Sequence, residues 1–409
     1  MKVLVVSQYF SPENFRINDL TDGLIERGHR VTVLTGQPNY PTGRFFSGHG
    51  FWKPWRNQYQ GAAVRRVPLL PRLRGKRVNL VLNYLSCAIS AAFFGPLVSG
   101  GRPDVIFVFE PSPITVGIPA RVLKWWHDIP LLFWVQDLWP ESLAATGAVS
   151  SPTILKLVRR LVRWIYAGCD MVLVQSKRFI PAVKAVGGPK VKTAYFPNSA
   201  EAFYRPVAPD PLCLEQEKMP RGFRLLFAGN IGEAQDFETL LRCAEQLRGK
   251  TDIHWIIVGN GRREPWLRQQ AARRGLSATF HFLGRHPAEK MPVFFSLADV
   301  LVVILKKDPV FELTIPSKVQ SYLACGKPIL AVLEGEGREV IEESGAGIAC
   351  PCNDARALTE AVMTLYKMTA ADRDAMGRLG RRYFLEHFER EQLLDRLEGW
   401  MRDVVSHHG

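Results

Sequence analysis

Two short stretches combine residue types that could do chemistry. AGNIGEAQDFETLL, 228–241, follows an apolar run and carries Gly229 and Gly232, which let backbone approach a ligand where the next helix presents free amides. A phosphate would fit there, and a plain strand-to-helix turn is the alternative. WVQDLWPES, 134–142, places Asp137 at the end of an apolar run, followed by Trp139 and Glu141. A carboxylate beside an aromatic ring suits a sugar, which offers hydroxyls to bond and an apolar face to stack; Asp137 could equally cap the next turn. A third stretch, FELTIPSKVQSYLACGKPIL (311–330), poses a question of placement. Pro316 in a first turn, Gly326 as a left-handed stop and Pro328 beyond it predict a helix over 316–325. Val319, Tyr322 and Leu323 share its apolar face, while Lys318 and Ser321 point elsewhere, close to Thr314.

Weaker candidates surround these. VGNGRREPWL has Gly259 and Gly261 but no third glycine of a dinucleotide fingerprint. Leu283, Gly284 and Arg285 could hold a nucleobase, although a turn with a solvated Arg is the simpler reading. Glu13, Asn14 and Arg16 follow the first apolar run, with Asn14 also suited to capping. The nine histidines show no HExxH spacing, His281 and His286 read as strand and loop surface residues, and no Ser, His and Asp set stands out. Hydrolase and metalloenzyme chemistry therefore fall away, and no metal is expected.

These residues need elements to hold them. In 409 residues, 47% hydrophobic and 22% charged, there is room for two folded domains. Apolar runs alternate with helical patterns, which predicts parallel sheets with crossover helices. In the first half the strands are KVLVV, RVTVLTG, DVIFVFE, PLLFWVQD, DMVLVQS and VKTAYFPN; in the second they are FRLLFAGNIG, DIHWIIVGNG, ATFHFLG, ADVLVVIL, KPILAVLEG and GAGIACP. The boundaries read as 1–200 for one Rossmann-like α/β domain, 201–222 for a Pro-rich linker, 223–385 for a second doubly wound domain, and 386–409 for a last helix. Ligands of such folds bind beyond the carboxyl ends of the strands.

The net charge of +14 favours anionic partners, but the basic residues lack the aromatic interleaving of RNA-binding proteins, so nucleic acid is not expected. Seven cysteines without disulfide or zinc spacing suit a reducing cytoplasm, and the first apolar run is too short for a signal peptide. VNLVLNYLSCAISAAFFGPLV, 78–98, approaches the length of a membrane span, yet Asn79, Asn83, Ser86 and Ser90 would be costly in lipid. It reads as a helix buried against a sheet, with a membrane-surface helix as the alternative.

In order along the chain, SQYFSPENFRINDLTDGLIERGHRVTVLTGQPNYPTG, WVQDLWPES, FAGNIGEAQ, VGNGRRE, FLGR and TIPSKVQSYLACGKPIL resemble the retaining glycosyltransferases of family 4. The likeness spans essentially the whole chain and is nearest to bacterial transferases of colanic-acid and O-antigen synthesis, N-acetylfucosamine transferases among them. It implies a GT-B fold, two Rossmann-like domains facing across a cleft, with a last helix that crosses back to the first. It also implies a nucleotide-diphosphate sugar, UDP-linked, held by the second domain without metal or other cofactor. The acceptor would be a polyprenyl-diphosphate-linked saccharide at the first domain, at the cytoplasmic face of the bacterial plasma membrane, and the sugar an N-acetylated or deoxy hexose. A nucleotide-sugar epimerase of the same build and an inactive membrane-surface scaffold are the rival readings.

On this resemblance Lys318, in the first turn of its helix, would stabilise the leaving diphosphate, and Asp137 would orient acceptor or sugar. Gly229, Asn230, Gly232, Gln235 and Gly259 would surround the diphosphate, and Leu283, Gly284 and Arg285 the base. Glu312, Thr314, Pro316, Ser317, Gln320 and Ser321 would line the phosphate and ribose, with Glu13, Asn14, Arg16, Trp139 and Glu141 on the acceptor side. Two departures stand out. Asn230 and Gln235 occupy loop places that often hold Arg and Lys in the family, and Ser321 replaces the second of its paired glutamates, with Glu312 one residue out of register for the first.

Overall fold

In the computed structural model, which describes residues 1–53, 55–73, 77–145, 149–208, 215 and 219–408, the chain forms two compact units. Met1–Pro197 joins with Glu391–Gly409, and Asn198–Arg390 forms the other. Residues 74–76 of the basic run and 209–214 and 216–218 of the expected linker lie outside the described residues.

The first unit is built on eight strands: β1 Lys2–Val6, β2 Arg30–Gly36, β3 Arg56–Tyr59, β4 Ala62–Val67, β5 Val105–Glu110, β6 Leu131–Val135, β7 Met171–Val174 and β8 Thr193–Tyr195. Their order is β3-β4-β2-β1-β5-β6-β7-β8, parallel throughout except for β3 against β4. β1 lies between β2 and β5, so the order reverses there and opens the crevice where doubly wound sheets bind ligands. β1, β5 and β6 are almost wholly apolar because both faces are covered.

β3 and β4 are absent from the sequence expectation, and Arg66 explains why. Its side chain is buried, and its guanidinium donates to the carbonyls of Gly36 (3.0 Å) and Ser11. Two successive arginines disguise a strand whose other inward residues, Ala62, Val64 and Val67, are core.

The helix Arg390–Ser406 belongs to this unit, packing Leu393, Leu394, Leu397 and Met401 into its core. Arg27 bonds Glu391 (2.8 Å) and Asp395 (2.6 Å), while His29 meets Glu398 at 2.7 Å.

The Arg77–Val98 helix differs from the buried core helix expected. Asn83 is fully buried, bonding Gln8 (2.8 Å) and the Leu70 carbonyl (2.6 Å), and Ser86 accepts from the Leu70 amide at 2.9 Å. Ile89, Phe93 and Leu97 are instead 67%, 69% and 69% exposed. Asn83 and Ser86, two of the four polar residues that argued against lipid, thus hold a loop, and an apolar row faces outward.

The second unit holds six parallel strands: β9 Phe223–Ala228, β10 Ile253–Val258, β11 Phe280–Gly284, β12 Val300–Ile304, β13 Ile329–Val332 and β14 Gly347–Cys350. Their order, β11-β10-β9-β12-β13-β14, reverses between β9 and β12. Beside that point sits the helix Ser317–Ala324, flanked by Pro316 and Cys325, with Gly326 at φ +65°. Val319, Tyr322 and Leu323 bury its apolar face as their spacing requires.

Tyr322 fixes this helix to the sheet. Its hydroxyl accepts from the Ala228 amide at 3.1 Å, at the last residue of β9. Tyr322→Phe would leave that enclosed N–H without its acceptor, and we expect a loss of about 1–3 kcal/mol in urea unfolding of the full chain. An unchanged midpoint would show that the bond contributes nothing.

Candidate functional site

In the second unit, the loops after β9, β10 and β11 are laced together at their carboxyl ends. The Gly229 amide donates to the Val258 carbonyl (2.9 Å), and the Gly259 amide donates to the Gly284 carbonyl (2.7 Å). Gly229 and Gly259 have φ of +140° and +135°, where L side chains are strained. A Cβ on Gly259 would lie 2.0 Å from the Gly229 carbonyl oxygen, and one on Gly229 would lie 2.5 Å from Lys318 Cε. Gly259 is therefore required by backbone approach as well as by φ, and Gly229 by φ, with the end of the Lys318 side chain filling the space a Cβ would take.

Lys318 thus stands against the loop that opens the site. Its ammonium is 5.0 Å from the centre of the Phe227 ring, and burial brings its pKa down to about 8. Among the described residues no carboxylate lies within ion-pair distance of it. Tyr322, one turn later on the same side of the helix, supplies the anchoring, so the bond to Ala228 carries Lys318 to its position. A lone cation at the amino end of a helix, beside glycine backbone at a topological switch point, is a place for an anion.

The neighbouring residues divide into framework and open positions. Gln235 accepts from the Gly232 amide (2.9 Å), which shapes the loop, and Asn230 is exposed beside it. Glu233 lies 3.6 Å from both Arg263 and Lys306, so those cations are already partly balanced. Leu283 packs against the core, its carbonyl meets His286 Nε2 at 3.1 Å, and Arg285 is exposed.

The polar side expected for the Ser317–Ala324 helix is corrected. Gln320 and Ser321 are buried, and their polar atoms turn to their own helix: the Ser321 hydroxyl donates to the Ser317 carbonyl (3.2 Å), and the Gln320 amide, oriented with its nitrogen towards the helix entrance as the surrounding acceptors require, donates to the Pro316 carbonyl (3.0 Å). Thr314 likewise donates to the Phe311 carbonyl at 3.2 Å. Ser317 is exposed, Pro316 is half-buried at the helix entrance, and Glu312 ends the short helix Pro309–Glu312 with its carbonyl against Gly335. Of this group, Lys318 alone brings a charge to the Gly229 loop.

In the first unit, Asp137 follows β6 and accepts from the Trp139 indole N–H at 3.2 Å. Trp139 is buried, which corrects its expected stacking on a sugar; Glu141 bonds Arg159 at 2.9 Å. Glu13 is buried too and accepts from the amides of Asn39 (2.8 Å) and Tyr40 (2.7 Å), so it ties two loops together instead of facing a ligand. Asn14 is exposed and does not cap the helix, whose first turn has no side-chain cap; Asn18, inside that helix, instead holds the preceding loop by accepting from the Ser11 amide (3.1 Å) and donating to the Glu13 carbonyl (2.8 Å). Arg16 starts the helix Arg16–Glu26 and is half-buried.

Glu110 escaped the sequence reading. It ends β5, fully buried; among the described residues no hydrogen bond of ordinary geometry reaches its carboxyl oxygens, although the Gln136 and Asp137 amides lie near enough to oppose the rise in its pKa. Burial, then the nearby Asp137 carboxylate, push its pKa well above the usual range; burial also raises that of Asp137. Its signal was a carboxylate closing an apolar strand, as at Asp137.

Comparison with known proteins was consistent across both units. The family model described as Glycosyl transferase 4-like domain matches residues 14–199, and that described as Glycosyl transferases group 1 matches residues 222–368. The putative colanic acid biosynthesis glycosyl transferase WcaI of Escherichia coli K12 is 26% identical over 339 residues, covering 80% of this chain and 82% of the relative. The probable glycosyltransferase WbjE of Pseudomonas aeruginosa is 27% identical over 341 residues, covering 81% and 83%. Among solved structures, HepE from Anabaena in complex with UDP superposes with a TM-score of 0.71 at 16% identity, over 98% of this chain and 100% of that one.

A raised pKa in the fold means that Glu110 favours the native state below its unfolded value of about 4.3 and opposes it as pH rises. Glu110→Gln, neutral at every pH, should therefore gain stability relative to wild type between pH 5 and pH 8, by up to about 1.4 kcal/mol per pH unit. Urea unfolding at the two pH values tests this, and a constant difference would mean that Glu110 is ionised in the fold.

Proposed function

The chain belongs to the glycosyltransferases of the GT-B fold that build bacterial cell-surface polysaccharides, and from that premise we propose a specific reaction for it. The reaction is retaining transfer of an N-acetylated or deoxy hexose from a nucleotide-diphosphate sugar, UDP-linked, to a hydroxyl of a saccharide carried on a polyprenyl diphosphate. The observation that carries this reading is the Lys318 ammonium lying against Gly229 with no carboxylate partner among the described residues.

Breaking the bond between the sugar C1 and the phosphate oxygen leaves negative charge on the diphosphate. Lys318 and the amino end of its helix stabilise that charge, with no metal required. The acceptor oxygen bonds C1 on the face the diphosphate leaves, and its proton passes to a donor phosphate oxygen, so no enzymic base is mandatory. Asp137 orients the acceptor or the sugar. Asn230 and Gln235 supply no charge where many relatives place cations, and Lys318 offers that charge from a different segment.

The acceptor implies a membrane surface, and the outward apolar row of the Arg77–Val98 helix supports one. The helix is long and apolar enough to cross a membrane by length and composition. Trp125 and Trp126 are exposed on the helix Gly117–His127, which packs beside it, and Leu157 and Trp164 are exposed on the basic helix Pro152–Ala167. Apolar side chains with tryptophans and arginines suit the interface of an anionic bilayer, so we place the protein at the cytoplasmic face of the plasma membrane.

A screen of UDP and GDP sugars against membrane extracts, read by mass spectrometry of the lipid-linked product, tests the reaction; no product from any donor would count against it. Lys318→Ala should lower turnover by orders of magnitude. Because the Lys318 charge is present below its pKa of about 8 and lost above it, donor kcat/KM should fall as pH rises through that value. Lys318→Arg should move that alkaline limb upward, and a limb that stays in place would remove Lys318 from the step.

For the membrane face, Ile89→Ser with Phe93→Ser should reduce co-sedimentation with phosphatidylglycerol vesicles by about tenfold or more, with the melting temperature retained. Unfolding of the double variant would instead assign these side chains to the core.

A further inference from the structure

The loops beyond β1, β2 and β4 enclose an arginine that the donor chemistry does not use. The Arg72 guanidinium lies over three tyrosine rings at once, 5.0 Å from the centre of Tyr9, 5.2 Å from Tyr40 and 5.3 Å from Tyr84. Phe15 extends the cage, stacked on Tyr9 at 4.8 Å. Buried amides set the backbone: the Arg72 N–H donates to Asn39 Oδ1 (3.2 Å), and Asn83 holds Leu70 from the Arg77–Val98 helix. Four separate segments thus meet around one cation.

That cation lacks an anion. Among the described residues no carboxylate is within ion-pair distance of Arg72. Glu13, which faces Tyr9, is already engaged by the backbone amides of Phe10, Asn39 and Tyr40 and by the charge of Arg66. Nη2 of Arg72 bonds the hydroxyls of Tyr84 (3.0 Å) and Tyr9, whereas Nε is enclosed with no acceptor among the described residues. An enclosed, unpaired N–H on a charged group is costly unless something else supplies the oxygen.

The surroundings narrow what that is. Leu70 and Leu73 flank Arg72 and are exposed, Tyr40 is 40% exposed at the rim, and Leu85 continues the edge along the helix. A phosphoryl oxygen matches the planar guanidinium, a sugar ring matches the open face of a tyrosine, and an apolar chain matches the leucines. We propose that Arg72, within the cage of Tyr9, Tyr40 and Tyr84, is a binding site for the diphosphate of a lipid-linked acceptor, whose chain runs along the exposed row of the Arg77–Val98 helix. This rests on the acceptor being lipid-linked, and it assigns that acceptor a subsite within the first unit.

The probe is farnesyl diphosphate, titrated calorimetrically into the full chain with saturating UDP present, beside uncharged farnesol and dihexanoyl phosphatidylglycerol. Arg72→Gln should weaken farnesyl diphosphate binding by about tenfold or more and leave UDP affinity unchanged. Tyr40→Leu, at the rim, keeps the guanidinium in place and should raise the acceptor KM without changing donor KM. Equal binding of farnesyl diphosphate by wild type and Arg72→Gln would overturn the site. Equal Arg72-dependent affinity for phosphatidylglycerol would also overturn it, making Arg72 a reader of bilayer headgroups. If Arg72→Gln loses its thermal transition, Tyr40→Leu decides: an unchanged acceptor KM would reject the subsite. Transfer to lipid-linked acceptor with wild-type acceptor KM in both variants would reject the subsite while leaving the reaction intact. Arg72-dependent diphosphate binding without transfer from any donor would reject the reaction while leaving the subsite.

Discussion

The arrangement of the second unit depends on how closely Lys318 approaches the backbone at Gly229. With any side chain at 229, a Cβ would fall 2.5 Å from Lys318 Cε, and the end of the lysine side chain would have to shift. The approach is enforced from the other end of the helix by Tyr322, whose hydroxyl meets the Ala228 amide. Gly259 repeats the requirement one strand over, where only the absence of a Cβ lets the β10 loop lie against the Gly229 carbonyl. Charge, loop and helix are therefore one rigid construction, which suits preorganised stabilisation of a leaving diphosphate.

In the first unit, enclosed charges are handled in three ways. Glu13 and Arg66 are buried near one another, and each is bonded to backbone. Glu110 has no cation to meet it among the described residues, and burial favours its neutral form. Arg72 is enclosed by aromatic faces, a weaker compensation than a carboxylate, and can still accept an anion. The same physics of desolvation thus separates a structural carboxylate, an uncharged one and a cation available for binding.

Much of the fold was legible. All six strands of the second unit follow from apolar runs, most of them closed by Gly or Pro and β12 by charged residues, because a strand buried on both faces leaves little room for polar residues. The short helix around Lys318 was legible from Pro316 and Gly326, whose backbone preferences act locally. β3 and β4 were not, since Arg65 and Arg66 look like a solvated run until Gly36 and Ser11 are seen to accept from Arg66. The Arg77–Val98 helix misled in the opposite sense: Asn83 and Ser86 read as residues too costly for lipid in a helix buried against a sheet, yet they bond the Leu70 loop, and the apolar row is outermost.

For the candidate site, the sequence by itself determined the glycines, the cation and the strand-end carboxylate, because each rests on local backbone geometry or residue chemistry. Tertiary structure decided which polar groups remain available. Gln320, Ser321, Trp139 and Glu13 have the right chemistry for a ligand but are enclosed and bonded within the protein. Glu110 and Arg72 became visible only when distant segments closed around them. Spacing along the chain says which side chains could meet a ligand, whereas burial and hydrogen-bond satisfaction, which are properties of the packed whole, select those that can.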